Sequence, residues 1–201
     1  MQRYLKGTFI LIFIFVAMFG LGLYTNVIKL PLINEFDVQY VANFDDDRVL
    51  LGASHNVFVA KVLKKIGQRD YGYGPASLFE VQIIKNIKGN LSGNVMVLQQ
   101  AGYKNGILNI TKGDSLLEPS KTYLLATRYN NENNWYTVTS HPNGKKLISE
   151  DYSLGISKLE ELANKDLKVI KFIEAYKNEI PLVIDIKNNN ARNSYKSLYS
   201  N

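Results

Sequence analysis

Two histidines, His55 and His141, are the chain's only imidazoles, and no cysteine accompanies them. A zinc centre needs three or four converging ligands, and neither histidine has a second ligand at a suitable spacing. Each reads as a surface or strand-end imidazole, and no metal is expected. The absence of cysteine removes any thiol nucleophile, disulfide framework or lipid-modified cysteine anchor. Serine chemistry lacks its G-x-S-x-G elbow. "YGYGP" at 71–75 lacks the lysine and following helix of a phosphate-cradling loop. Asp45, Asp46 and Asp47 are consecutive, whereas a calcium loop spaces its oxygen ligands around a glycine, so the run suits the first turn of a helix over "DRVLLGAS". The carboxylates Glu80, Asp114, Glu118, Glu132 and Asp151 remain. A pair of them within about 9 Å in one cleft would suit glycoside cleavage. Their surroundings in sequence are wet strand faces and turns, so no catalytic residue and no cofactor is expected. Asn90-Leu91-Ser92 and Asn109-Ile110-Thr111 match the glycosylation triplet, a pattern short enough to arise by chance.

Binding chemistry is better represented. "KKIGQRDYGYGP" interleaves Lys64, Lys65 and Arg69 with Tyr71 and Tyr73 in what reads as an exposed hairpin loop. Such a loop can neutralise an anion and stack on a sugar or peptide. The same residues also suit a plain soluble turn. The formal charge of +6 favours anionic surroundings, but a solvated basic surface accounts for it more simply than a dedicated anion site.

These residues need elements to hold them. With 46% hydrophobic and 21% charged residues in 201, the chain has material for one globular core plus appendages. At the N-terminus, "MQRYLKGTFILIFIFVAMFGLGLYTNVIKL" sets Arg3 and Lys6 before an uncharged apolar run over 8–28. As a helix that run rises about 30 Å, enough to cross a bilayer, and the flanking cations keep the short end cytoplasmic. The expectation is a single-pass signal anchor at 1–28, with the C-terminal domain extracellular. "GLG" at 20–22 offers the alternative of cleavage near Gly22 and secretion.

A connector is expected at 29–47 and a β domain at 48–152. "NVFVAKVL", "SLFEVQIIKNIKG", "GNVMVLQQ", "YKNGILNI", "KTYLLATRY" and "WYTVTS" read as five or six strands separated by glycine and asparagine turns. Asn105-Gly106 is a type I′ hairpin signal. After 153 the period changes. Ile156, Leu159, Ala163, Leu167, Ile170 and Ile173 form a helical stripe, Ser157 and Glu160 have capping-box spacing, and Pro181 ends a helix at 153–180. The asparagine-rich 181–201 reads as a flexible tail.

In order, "NVFVAKVLKK", "SLFEVQIIKNIKGNLSGNVMVLQQAG" and "LLEPSKTYLLATRYNNENNWYTV" resemble, over residues 53–139, the bacterial relatives of the netrin-like module, the fold of tissue inhibitors of metalloproteinases. That family often reads "ADVVFVGKV", "FEVLEVYKG", "VTV" and "LEPGKEYLLFA" in succession. The resemblance implies a mainly β fold: a small five- to six-stranded OB-type (TIMP-like) barrel with a C-terminal helix, here preceded by a transmembrane helix. His55 and Asn56 stand where the family often has alanine-aspartate, and Ala60 replaces a frequent glycine. Animal members carry disulfides, and the inhibitors chelate zinc through an N-terminal cysteine. This chain has neither, so that inhibitory mechanism does not carry over. A barrel wall also accounts for the strand "NVFVAKVL" being apolar on both sides: Phe58, Ala60 and Val62 are expected inside, with Val57, Val59 and Leu63 under the C-terminal helix.

The function expected is that of a non-enzymatic binding module of a bacterial cell envelope. Its partner would be an envelope protein, a peptide or an anionic polymer, with the membrane contacted through the N-terminal helix and no nucleic acid. A protease inhibitor acting through loops and an envelope hydrolase using paired carboxylates are the alternatives.

Overall fold

The computed structural model describes residues 16–17, 32–70, 74–139 and 142–182. The expected anchor (apart from 16–17), the cleavage point at Gly22, Tyr71, Tyr73, His141 and the tail from 183 lie outside the described residues. Among the described residues no helix is long and apolar enough to cross a membrane.

The protein is mainly β, with a six-stranded sheet and two C-terminal helices. Strand β1 is Leu32–Phe36, and helix α1, Asp47–Ala53, follows it. The acidic run does open a helix: the Asp46 carboxylate accepts the Arg48 N–H at 2.9 Å and caps the first turn. Next come β2 (Asn56–Asp70), β3 (Pro75–Lys88), β4 (Asn94–Gln99), β5 (Gly102–Lys104) and β6 (Ile107–Thr111). Strands β7 (Thr122–Asn130), β8 (Trp135–Val138) and β9 (Lys145–Ser149) precede helices α2 (Ile156–Lys165) and α3 (Leu167–Lys177).

The large sheet runs β2-β3-β4-β8-β7-β9, and β2 also pairs with β7, so five strands close into a ring. Every contact around the ring is antiparallel except β4–β8, a parallel seam of two paired positions, Val97↔Tyr136 and Leu98↔Thr137. Strands β1, β6 and β5 form a separate sheet. The β5–β6 turn is the expected hairpin, with Asn105 and Gly106 at φ 53° and 79°.

Strand β2 shows why both of its faces are apolar. Phe58, Ala60 and Val62 point into the ring beside Phe79, Val81, Val97 and Leu125. Val57 and Val59 point outward under Leu159, Ala163, Val169 and Phe172 of the two C-terminal helices. Leu63 departs from this pattern: a register shift between Val62 and Lys64 breaks the alternation and leaves it half-buried, outside the helix-side cluster.

Three expectations are corrected. The single C-terminal helix is two, divided at Asp166, whose carboxylate accepts the N–H groups of Lys168 and Val169 and starts α3. A carboxylate that can cap a new helix competes with continuation of the old one. The break turns the apolar face, so Val169 and Phe172 are buried while Leu167 and Ile170, members of the expected stripe, are exposed. Helix α2 is capped by Gly155 without a side-chain bond, not by a Ser157–Glu160 box. The stretch read as a connector contains β1, which is joined to β6 by backbone pairing, and Phe44, which lies in the helix-side core.

Candidate functional site

Beyond Lys61↔Thr122, strand β2 leaves β7 and continues as an arm paired with β3 out to Asp70↔Pro75. Lys64, Lys65 and Arg69 therefore sit on an exposed strand and not in a loop. The sequence reading missed this because Gly67 reads as a turn former inside the arm, and the lysine, glutamine and arginine around it carry little strand signal.

The arm's side chains have separate fates. Lys64 pairs with Glu80 at 3.2 Å. Lys65 lies over the Tyr103 ring at 5.8 Å, and partial burial lowers its pKa below the usual lysine value. The Gln68 carboxamide acts as a one-residue strand: it donates to the Tyr103 carbonyl and accepts the Tyr103 N–H at 2.7 Å. Glycine opposite it leaves room for this contact: a Cβ on Gly102 would lie 2.6 Å from Gln68 Oε1 and push the carboxamide aside. Lys104 closes the junction on Asp70 at 3.0 Å. Two of the three expected cations are thus engaged within the molecule. Arg69 is exposed, and its side chain has no hydrogen-bond or ion-pair partner among the described residues.

Arg69 borders an open groove of about 500 Å³. One wall is the arm, from Ile66 to Arg69, and the floor is Leu78, Met96, Leu98 and Trp135. The opposite wall is the β7–β8 turn, contributing Glu132 and Asn133. The floor is a small core of its own: Ala76, Leu98 and Trp135 are buried, with Leu78 and Met96 packed against them. Register brings it together, Leu78 opposite Leu98 across β3–β4 and Trp135 at the start of β8. The turn is held by its asparagines. Asn130 Oδ1 accepts the Asn133 N–H at 3.1 Å, Asn134 adopts φ 54°, and its carboxamide accepts the Tyr129 hydroxyl at 2.8 Å. Glu132, at the tip, is exposed and, like Arg69, unpaired among the described residues.

The candidate carboxylates sit in separate environments. Glu80 accepts from Asn94 at 2.9 Å, and this bond, with Lys64, holds it below the usual glutamate range. Glu118 pairs with Lys121 at 3.0 Å. Asp151 accepts the Ser153 hydroxyl and N–H, which hold it below the usual aspartate range. Asp114 is buried against Lys145 at 2.8 Å, their side chains 1% and 5% exposed. Gln99 donates to Asp114 at 3.0 Å, and Lys145 also donates to Ser115 and faces the Tyr123 ring. Burial pulls the Lys145 ammonium below the usual lysine range against the attraction of Asp114. His55, at the start of β2, accepts the Tyr129 N–H at Nδ1. Among the described residues, no three His, Asp or Glu side chains are grouped to hold a metal ion.

The sequence reading missed both the groove and the buried pair. The one available signal for the groove was the chain's single tryptophan directly after the turn "NNENN". No protein-family model matches the chain and no curated protein matches it significantly.

Proposed function

We propose that this chain is an extracytoplasmic binding module of a bacterial cell envelope, tethered by the apolar segment at 8–28 and holding a ligand in the groove above Trp135. We read the ring as an OB-type barrel of the netrin-like kind. The strand order β2-β3-β4-β8-β7 returning to β2, with its parallel β4–β8 seam, supports that reading. Barrels of this type present a strand face and two flanking loops to extended ligands. The observation that carries the function is the groove: a strand face with an apolar floor, bounded on one side by the β2–β3 arm and on the other by the β7–β8 turn. The reading of a binder and not a hydrolase is supported by the separate partners of Glu80, Asp114, Glu118 and Asp151.

The test is site-specific photo-crosslinking in intact cells. A photoreactive residue at Met96 in the groove should give a discrete envelope adduct, and one at Glu174 on α3 none. The protein should fractionate with the membrane, its C-terminal domain open to added protease. A soluble shortened form would favour cleavage near Gly22, and absence of any Met96 adduct would refute the groove. The exposed β2–β3 arm supports a second reading, a protease inhibitor acting through a protruding element. It predicts that adducts come from Arg69 and not from Met96.

A further inference from the structure

We infer that the groove takes an extended peptide in which one apolar side chain lies between an acidic and a basic one, and not an anionic polymer. The inference rests on the reading of the groove as the ligand site. An anionic polymer needs a row of available cations, and the arm does not supply one. Lys64 is neutralised by Glu80, Lys65 is folded onto Tyr103, and Lys104 is neutralised by Asp70. Among the described residues, what borders the groove is one cation, Arg69, on the arm and one anion, Glu132, on the turn, each exposed and with an unpaired side chain. A polyanion would gain from the first and be repelled by the second.

Between the two charges the floor is apolar: Leu78, Met96, Leu98 and Trp135. A sugar ring stacks on an aromatic face, but Trp135 keeps 7% of its surface exposed and cannot offer a whole face. Such a floor receives a branched or flexible apolar side chain, and Met96 can adapt its shape to it. An extended peptide places residues i, i+2 and i+4 on one face at about 6.5–7 Å intervals. An acidic, an apolar and a basic residue at those positions would face Arg69, the floor and Glu132 in turn. A cavity of about 500 Å³ lies within the range of about 300–1,000 Å³ that small-ligand sites occupy.

Trp135 is the chain's single tryptophan and lies in the floor, so its emission reads occupancy directly. Full-length protein in lipid nanodiscs is titrated with end-blocked pentapeptides of sequence DSLSK, DSSSK, KSLSK and DSLSD, and with poly-glutamate. The expected result is a saturable emission change with DSLSK and none with DSSSK. R69E should weaken DSLSK about tenfold and strengthen KSLSK, and E132K should do the same in favour of DSLSD. Both positions are exposed on the rim, and circular dichroism checks that the variants fold. Equal binding of DSSSK and DSLSK, or variants that do not exchange preference, overturns the peptide assignment. If poly-glutamate alone moves Trp135 and R69E abolishes that response, the peptide assignment falls while the groove stands. If no probe moves Trp135, both fall.

Discussion

Replacing Lys145 by methionine removes one half of the buried ion pair and keeps most of the side chain's volume. The ammonium it deletes lies 2.8 Å from Asp114 and also bonds the Ser115 hydroxyl at 3.1 Å. The Asp114 side chain, 1% exposed, is left charged with almost no access to water, and removing one partner of such a pair typically costs about 3–5 kcal/mol. Asp114 keeps the Gln99 carboxamide at 3.0 Å and the Ser115 N–H at 2.8 Å as donors, which places K145M at the low end, about 3 kcal/mol. The double variant K145M/D114L removes both charges and with them both desolvation costs. It should recover most of the loss, because burial already outweighs Asp114 in setting the Lys145 pKa. The linkage has a definite sign. A lysine whose folded pKa lies below its unfolded value of 10.5 binds fewer protons in the folded state, so its contribution to stability rises with pH up to that value and is flat below the folded pKa. Urea unfolding of the full-length chain in detergent micelles, followed through Trp135, measures all four corners of the cycle. A K145M as stable as the parent, or a double variant whose loss is the sum of the singles, would refute this account of the pair.

Two further outcomes follow from local geometry. A methyl group on Gly52 would lie 2.0 Å from the Ile180 carbonyl oxygen, so G52A must push 179–182 off helix α1. That breaks the Ile180 N–H bond to the Arg48 carbonyl and the Lys88–Glu179 pair, an expected loss of about 1–3 kcal/mol with earlier proteolysis after Lys177. Asp46 is held at about 2, from 3.8, chiefly by its side-chain bond from Arg48. A depressed carboxylate gives its full contribution above its unfolded pKa and loses it as pH falls through the folded one. The melting-temperature difference between the parent and D46N should therefore be constant above pH 3.8 and shrink towards pH 2, and a difference undiminished at pH 2 would contradict the assignment.

Much of the strand pattern was legible because each strand's alternation is a local property. Val57 and Val59 against Phe58 and Ala60 announced two buried faces, and Asn105-Gly106 announced its hairpin. The C-terminal helix was misread where two local signals compete: the apolar period passes straight through Asp166, while that residue's carboxylate starts a new helix. Lys64–Asp70 was misread because charged residues on a two-stranded arm look in sequence like those of a solvated loop. The groove left only its tryptophan as a signal, and the Lys145–Asp114 pair left none. The first is assembled from the ends of four strands and a turn, and the second joins residues from β9 and the β6–β7 connection that share no spacing rule.

The ring's parallel seam bears on how the chain reaches its fold. Four of the five junctions zip along several antiparallel positions, but β4 and β8 meet through two, and the segments they join are separated by the whole of β5, β6 and β7. Closure of such a distant contact must wait until the loop entropy of the intervening chain has been overcome. With no disulfide to hold intermediates, the unzipped edges of β4 and β8 are the last to be shielded. Later protection of the amides that bond across the β4–β8 seam than of those in the β2–β3 ladder is the kinetic signature of this topology.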